Sequence, residues 1–295
     1  MNNDLKQLNA IVGRYQMEDS LIDEHARLLK GFEGELQFDL WLANERFLKL
    51  NDVYLKIENS TIQLDSVLFI DDKIIAVDIK NYSSKYRVID NHWSNDYRTI
   101  PNPLESITRQ HFLLSKLFPK QQIVMMMVFI NPKFSIDKAF HNKNIYMHYD
   151  RLRLLNDLKN YGHSNSKSLK HLNHMKRFIT DGSIFMKNYD FSDKQIKSGI
   201  LCSCRKEISS CIQPSCKYTV CKYCNTKHNT KELIRNNIIE WITIHKRPIT
   251  YKEACIWCEG VSGSTIERVL KKYFVRTGTN RKYLYDLENN HQVLK

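Results

Sequence analysis

The sequence predicts an α/β protein followed by a cysteine-dense module and a helical C-terminal domain. Three observations carry that prediction. Between residues 31 and 149 the hydrophobic period alternates in the order α-β-β-β-α-β; six of the eight cysteines fall between Cys202 and Cys224; and two helix-start signatures follow residue 249.

The first 30 residues read as a mainly polar helical segment, with Leu21, Ile22, Leu28 and Leu29 available for docking. From Gly31 to Asn51, Phe32, Leu36, Leu40 and Phe47 recur near helical spacing while Glu33, Glu35 and Asp39 lie off the stripe, which predicts an amphipathic helix. Val53 to Glu58 alternates, Ile62 to Ile70 is rich in β-formers, Asp71-Asp72 supplies a turn, and Lys73 to Lys80 is the returning strand of a hairpin. Tyr86 to Trp93 is a further strand candidate. Asn102-Pro103 then opens a helix running to about Phe118. Gln121 to Ile130 is almost continuously apolar, as a strand covered on both faces requires, and Ile145 to Tyr149 is a last short strand. Two helical patterns, one around Leu154 and Leu158 and one around Leu172 and Met175, fill residues 150–200 as a helical spacer.

Composition excludes several classes. The chain has 295 residues, 42% of them hydrophobic and 26% charged, with only 9 Gly and 6 Pro, so it is a folded protein of more than one domain. Its longest apolar run, Ile123 to Ile130, is far below the roughly 20 residues of a membrane helix, and the N-terminus has no apolar signal core. A cytoplasmic protein without a membrane partner is expected. Lys and Arg outnumber Asp and Glu by 45 to 32, and residues 201–295 hold 17 of the basic against 8 of the acidic residues, +9 of the total +13. Positive charge clustered in this way suggests a polyanionic partner, nucleic acid ahead of an acidic membrane surface, against the alternative of a merely solvating surface.

The hairpin carries the chemistry. Asp65 lies in its first strand, and Asp78-Ile79-Lys80 ends the second, where the period of two puts Asp78 and Lys80 on one face with Asp65 able to meet them. Two carboxylates at the ends of apolar strands form an oxygen site suited to Mg²⁺ or Mn²⁺, and an adjacent ammonium can orient or deprotonate water while offsetting phosphate charge. An isolated Asp-x-Lys is commonly a solvated strand-end pair, so the arrangement carries weight as a set.

That set resembles a family. GFEGE at 31–35, IQLDSVLF at 62–69, IIAVDIKN at 74–81, His92-Trp93 and the helix opened by Asn102-Pro103 resemble the nuclease-related domain, NERD, of the PD-(D/E)XK nuclease-like superfamily. The resemblance spans residues 31–149. It implies a restriction-endonuclease-like mixed sheet flanked by helices, a divalent metal, and cleavage of nucleic acid. On that pattern Glu35 is the helix-borne acid, Asp65 and Asp78 hold the metal, and Lys80 is the catalytic lysine. Members often have Glu where Asp78 stands, and a Gln in the first turns of the Asn-Pro helix; this sequence has Ser106 near that point and Gln110 one turn later on the same face, and the role passes to Gln110. The alternative is a non-catalytic DNA-binding or regulatory protein that retains the fold.

In residues 201–229 the spacing is Cys202-x-Cys204, Cys211, Cys216, then Cys221-x2-Cys224 with His228 beyond. Paired thiols without a secretory signal suit tetrahedral Zn²⁺, which replaces a hydrophobic core too small to form. Cys202, Cys204, Cys221 and Cys224 are the expected ligands, with Cys211, Cys216 or His228 as substitutes. Cys255 and Cys258 read as small core residues around Trp257.

Residues 230–295 read as a winged helix-turn-helix. Leu233 to Ile244 forms a helix ended near Pro248, Thr250…Glu253 and Ser264…Glu267 are capping boxes that start two more, and Val275 to Leu287 is a hairpin. Arg268, Lys271 and Lys272 on the exposed helix face and Arg281 on the wing are the candidate nucleic-acid contacts, with DNA favoured over RNA; a winged helix can equally mediate protein contacts. The expected reaction is metal-dependent phosphodiester hydrolysis.

Overall fold

The structure, a computed structural model, describes residues 2–137, 143–187, 189–213, 216–279 and 283–288. It divides into two compact units, one of residues 26–186 and one of residues 2–25 with 187–295. The chain opens with α1 (Asn3–Ile11) and α2 (Asp19–Trp41). No described helix is long and apolar enough to cross a membrane.

The first unit is built on a six-stranded mixed sheet. Its strands are β1 (Leu48–Ile57), β2 (Ser60–Ile70), β3 (Lys73–Lys80), then, after β4 (Lys85–Ile89), β5 (His92–Ser94), β6 (Thr99–Pro101) and α3 (Leu104–Leu117), the strand β7 (Gln122–Phe129). β8 (Ser135–Ile136), β9 (Ile145–Met147), α4 (Arg151–Asn160), α5 (Ser166–Lys176) and β10 (Ile179–Thr180) complete it. The sheet order is β10-β1-β2-β3-β7-β9, and β4, β5, β6 and β8 form a smaller second sheet. β1, β2 and β3 run antiparallel, while β7 pairs parallel with β3 and β9 parallel with β7. The hairpin turns at Asp71, whose φ of 53° is the left-handed conformation that Asp tolerates well. The apolar run of β7 is buried on both sides: Met125 packs with Leu113, Leu114 and Leu117 of α3, and Val124, Met126 and Val128 pack with Phe38 and Trp41 of α2. Each such side chain contributes about 1.5–3 kcal/mol of burial free energy.

Three sequence expectations change here. The helix expected over Gly31 to Asn51 ends at Trp41, and Leu48 to Asn51 already pair with β2. Its buried residues are Gly34, Phe38 and Trp41, whereas Leu36 and Leu40 are 47% and 70% exposed. Gly34 sets this face, because a Cβ there would stand 2.9 Å from Asn81 Cβ and 3.3 Å from Ile130, so the helix settles against the ends of β3 and β7 where only glycine fits. The residues read as a spacer also do more: Leu154 and Leu158 of α4 cover one sheet face, Leu172 and Met175 of α5 cover the other, and β10 extends the sheet beside β1.

In the second unit α1 packs on α6 (Thr230–His245), so the N-terminal segment divides between the two units. Arg14, fully buried, donates to Glu240 Oε2 (2.8 Å), Asn237 Oδ1 (2.5 Å) and the carbonyls of Lys197 (3.1 Å) and Gly199 (3.0 Å), and lies 4.2 Å over the Trp257 ring. A buried guanidinium with four acceptors ties these segments together. The hairpin β11 (Tyr218–Val220) and β12 (Lys227–Asn229) precedes α6. After α6 come β13 (Ile249–Thr250), α7 (Tyr251–Trp257), α8 (Gly263–Tyr273), β14 (Val275–Thr277) and β15 (Leu284–Asp286), with the three strands ordered β13-β15-β14. The Thr250 capping box forms, with Glu253 N donating to Thr250 Oγ1 at 3.2 Å and Thr250 N to Glu253 Oε2 at 2.9 Å. The second expected box does not. α8 starts one residue before Ser264, after Ser262, and Glu267 pairs with Lys271 at 2.6 Å instead of reaching back.

Candidate active site and thiol cluster

Asp65 and Asp78 meet where the hairpin opens. The β2–β3 ladder ends at Ser66 opposite Val77, and beyond it the Asp65 side chain replaces a strand partner, its Oδ2 accepting from Ile79 N at 2.7 Å. The cause lies one strand away. Leu48 and Leu50 of β1 and Val53, Leu55 and Ile57 face the same core, as do Ile62 and Leu64 with Val67 and Phe69 of β2, so both strands switch faces between those sets. The switch falls at Asp52, whose φ is 48°, and at the opposing Asp65. Asp65 therefore sits between the two faces of the sheet. On one side it lines a cleft of about 380 Å³ with Glu35, Asp39 and Asp52, into which Gly34 lets α2 lower Glu35.

Asp78, only 5% exposed, follows Ile74 and Ala76 on the α3 side of β3. Lys80 Nζ lies 2.5 Å from Asp78 Oδ1, and Ser106 of α3 donates to Asp78 Oδ2 at 3.0 Å. Burial pushes the Asp65 carboxyl well above the usual range, and the Asp78 charge adds to it. Burial likewise takes Glu35 up to about 7, with Asp52 as the second cause. For Lys80 burial acts downward, but Asp78 and Asp65 outweigh it and hold the ammonium above its ordinary value. It is a fixed cation between acids.

The family comparison bears on this part of the chain: the nuclease-related domain family matches residues 30–131, from within α2 to just past β7. Residues 30–131 are thus similar to nuclease-related domains. The likeness is to a nuclease-related family and covers about a third of the chain. No curated protein and no solved structure matches the chain.

Within the matched residues the donor set fits a hard divalent cation. Two carboxylates share a strand-end site, Asp78 buried and Asp65 half-buried, their charges oppose one another, and a single ammonium offsets only one of them. Asp65 and Asp78 would hold the ion. Glu35 does not join them in a three-ligand group: among the described residues no set of three carboxylates lies mutually within 4.8 Å, so water or substrate oxygens would complete the shell. Gln110 is placed elsewhere. Its Nε2 donates to the Gln63 carbonyl at 3.0 Å and its Oε1 is buried without a hydrogen-bond partner. Ser106, one turn earlier, is the α3 residue that touches Asp78, a contact signalled in the sequence only by its sharing a helix face with Gln110. Trp93 is core, stacked on Phe129 and Phe134, and His92 is exposed.

The thiols are gathered more tightly. Cys202, Cys204, Cys221 and Cys224 all lie within 4.8 Å of one another. Sγ separations of 3.6 Å for Cys202–Cys224 and 3.8 Å for Cys204–Cys221 match the roughly 3.8 Å edge of a tetrahedron with bonds near 2.3 Å, so the four fit Zn²⁺. Two similar turns present them. Cys202 N donates to Lys206 O and Cys221 N to Thr226 O, each at 3.0 Å, and each turn closes through a left-handed residue, Arg205 (φ 64°) and Asn225 (φ 58°). His228 Nε2 stands 3.1 Å from Cys202 Sγ, next to the cluster, where it can donate to a thiolate and fix its orientation. Cys211 and Cys216 stay outside, and Cys258 is buried in the core as expected.

On α8, Arg268 donates to Ser264 O at 3.1 Å, Lys271 pairs with Glu267, and Lys272 lies 4.7 Å over the Tyr273 ring. All three are exposed. Arg281 lies outside the described residues.

Proposed function

We propose that the protein is a metal-dependent nuclease that hydrolyses phosphodiester bonds of DNA. The observation that carries this is Lys80 held 2.5 Å from Asp78 beside the Asp65 carboxylate, at the point where β2 and β3 part. A bound Mg²⁺ or Mn²⁺ would supply charge stabilisation at the scissile phosphate. Asp65 and Asp78 hold that ion, and the Asp65 bond to Ile79 N with the Ser106 bond to Asp78 keeps both carboxylates in place. Lys80 keeps its proton between two acids, so it orients the attacking water and offsets charge on the phosphate, and does not act as the base. Glu35 faces Asp65 across the cleft and can accept a proton from water at its rim.

The thiol cluster (201–229) holds a structural Zn²⁺, with no carboxylate among the four ligands to serve as a base. Residues 230–295 form a winged helix in the order helix, strand, helix, helix, strand, strand, and Arg268, Lys271 and Lys272 contact phosphates. DNA is favoured because a helix enters its major groove, whereas the narrow major groove of RNA admits none. The second reading, a DNA-binding protein that does not cut, is favoured by Lys80 occupying Asp78 directly.

Supercoiled plasmid, linear duplex, single-stranded DNA and RNA, incubated with Mg²⁺, Mn²⁺ or neither, separate the readings. Metal-dependent cleavage of DNA supports the nuclease; DNA binding without cleavage under every condition supports the second reading.

A further inference from the structure

We propose that the second unit contains a binding site for a nucleoside phosphate, in a cavity between the cysteine-rich segment and the starts of α6 and α8. This goes beyond the nuclease reading and does not depend on cleavage. The cavity measures about 410 Å³, within the roughly 300–1,000 Å³ of small-molecule sites. Four cations line it, Lys217, Lys231, Arg268 and Lys272, and no Asp or Glu does among the described residues. The acid of α8, Glu267, is paired with Lys271. Such a lining selects an anion, and four cations are more than a single carboxylate requires.

Both helices begin at this wall. Asn229, Thr230 and Lys231 of α6 and Ser262 and Thr265 of α8 are lining residues, so the positive ends of a 16-residue and an 11-residue helix reinforce the lysines. Asn229 caps α6 by accepting from Lys231 N and Glu232 N, but Ser262 makes no side-chain cap bond on α8. A phosphate is a natural occupant at such a helix start. Arg235, one turn along α6 from Lys231, adds charge behind Tyr273: its guanidinium lies 5.5 Å from that ring, and its buried Nε makes no hydrogen bond.

The rest of the lining is not built for inorganic phosphate alone. Tyr273, Ile212 and Val261 give it an aromatic and aliphatic side, which suits a sugar and a base that can stack. Phosphate at the cations with a base against Tyr273 describes a nucleotide, either free or at the phosphorylated end of a strand.

The test uses full-length, zinc-loaded protein carrying Asp78→Ala so that the probe is not cut. Binding of a deoxynucleoside 5′-monophosphate is measured by calorimetry, and a short oligonucleotide with a 5′-phosphate is compared with its 5′-hydroxyl form. The monophosphate is expected to bind at least about tenfold more tightly than inorganic phosphate. Lys231→Gln with Lys272→Gln should weaken it about tenfold or more, as for loss of charge-assisted hydrogen bonds. Val261→Trp keeps every charge and fills the cavity, and should abolish binding, whereas mere surface attraction would leave it unchanged. A preference for the 5′-phosphorylated strand that Val261→Trp removes identifies a strand end; monophosphate binding without that preference identifies a free nucleotide. No monophosphate binding, or binding unchanged by Val261→Trp in a variant with native thermal unfolding, overturns the proposal.

Discussion

The thiol cluster and the carboxylate cluster offer a cation two different donor sets. Four sulfurs already stand at tetrahedral spacing, whereas the carboxylates number two, with a lysine seated against one of them. The difference follows from where the ligands come from. The thiols sit on two short turns within 23 residues, so local backbone bonds alone can assemble them. Asp65 and Asp78 sit on neighbouring strands that part at the site, and Ser106 comes from a helix beyond. A closed set suits a structural ion; an open, charged set suits an ion that shares its shell with a substrate.

The largest expected effect breaks the closed site. Cys221→Ser removes one of two buried thiols, and the purified protein should lose its single zinc together with the cooperative unfolding of the second unit, since such ions supply on the order of 10 kcal/mol of folding free energy. Metal analysis with calorimetry checks it; zinc retained at one per chain would mean that another ligand completes the tetrahedron, with His228 the adjacent candidate. The open site should respond in the opposite manner. Lys80→Ala leaves two acids without their cation, so cleavage should fall by about 10²–10³, while the unfolding temperature changes little. A parallel loss of stability would make Lys80 a structural ion pair. Smaller still, Ser106→Ala removes one hydrogen bond to Asp78 and should lower cleavage about tenfold, more than Gln110→Ala, whose amide is spent on Gln63. The reverse order in a rate assay would return the role to Gln110.

The smallest effect tests a feature that was readable from four residues. Burial pushes Glu253 up, but hydrogen bonds from Arg247 and Thr250 bring it down to about 2. A depressed carboxyl stabilises above its unfolded value near 4.5 and ceases to do so as pH falls through about 2. Glu253→Gln should therefore lower the unfolding temperature slightly at neutral pH, and the gap to the unchanged protein should close between pH 4.5 and 2. A gap that does not vary with pH would assign it to the loss of cap geometry alone.

The same contrast explains what was legible in the sequence. The Asp71-Asp72 turn, the doubly buried β7, the Thr250 box and the four thiols depend on neighbours in the chain, and they are present in the structure. Features set by distant partners were not readable. The buried face of α2 is rotated because Gly34 meets Asn81 and Ile130, and Ser106 outranks Gln110 at Asp78 because of where α3 crosses the sheet. Ser264 has the residues of a capping box but lies inside α8, whose Glu267 turns to Lys271. Arg14 carried no signal at all, since its acceptors lie more than 180 residues away.

The most direct measurement is the Mg²⁺-dependent cleavage rate of plasmid DNA by the full-length protein beside Asp78→Ala, at equal zinc content and equal unfolding temperature. Cleavage by the first and a loss of about a thousandfold or more in the second, roughly 4 kcal/mol of barrier, are expected. Equal rates from the two would contradict this, and would remove Asp78 and its lysine from the chemistry.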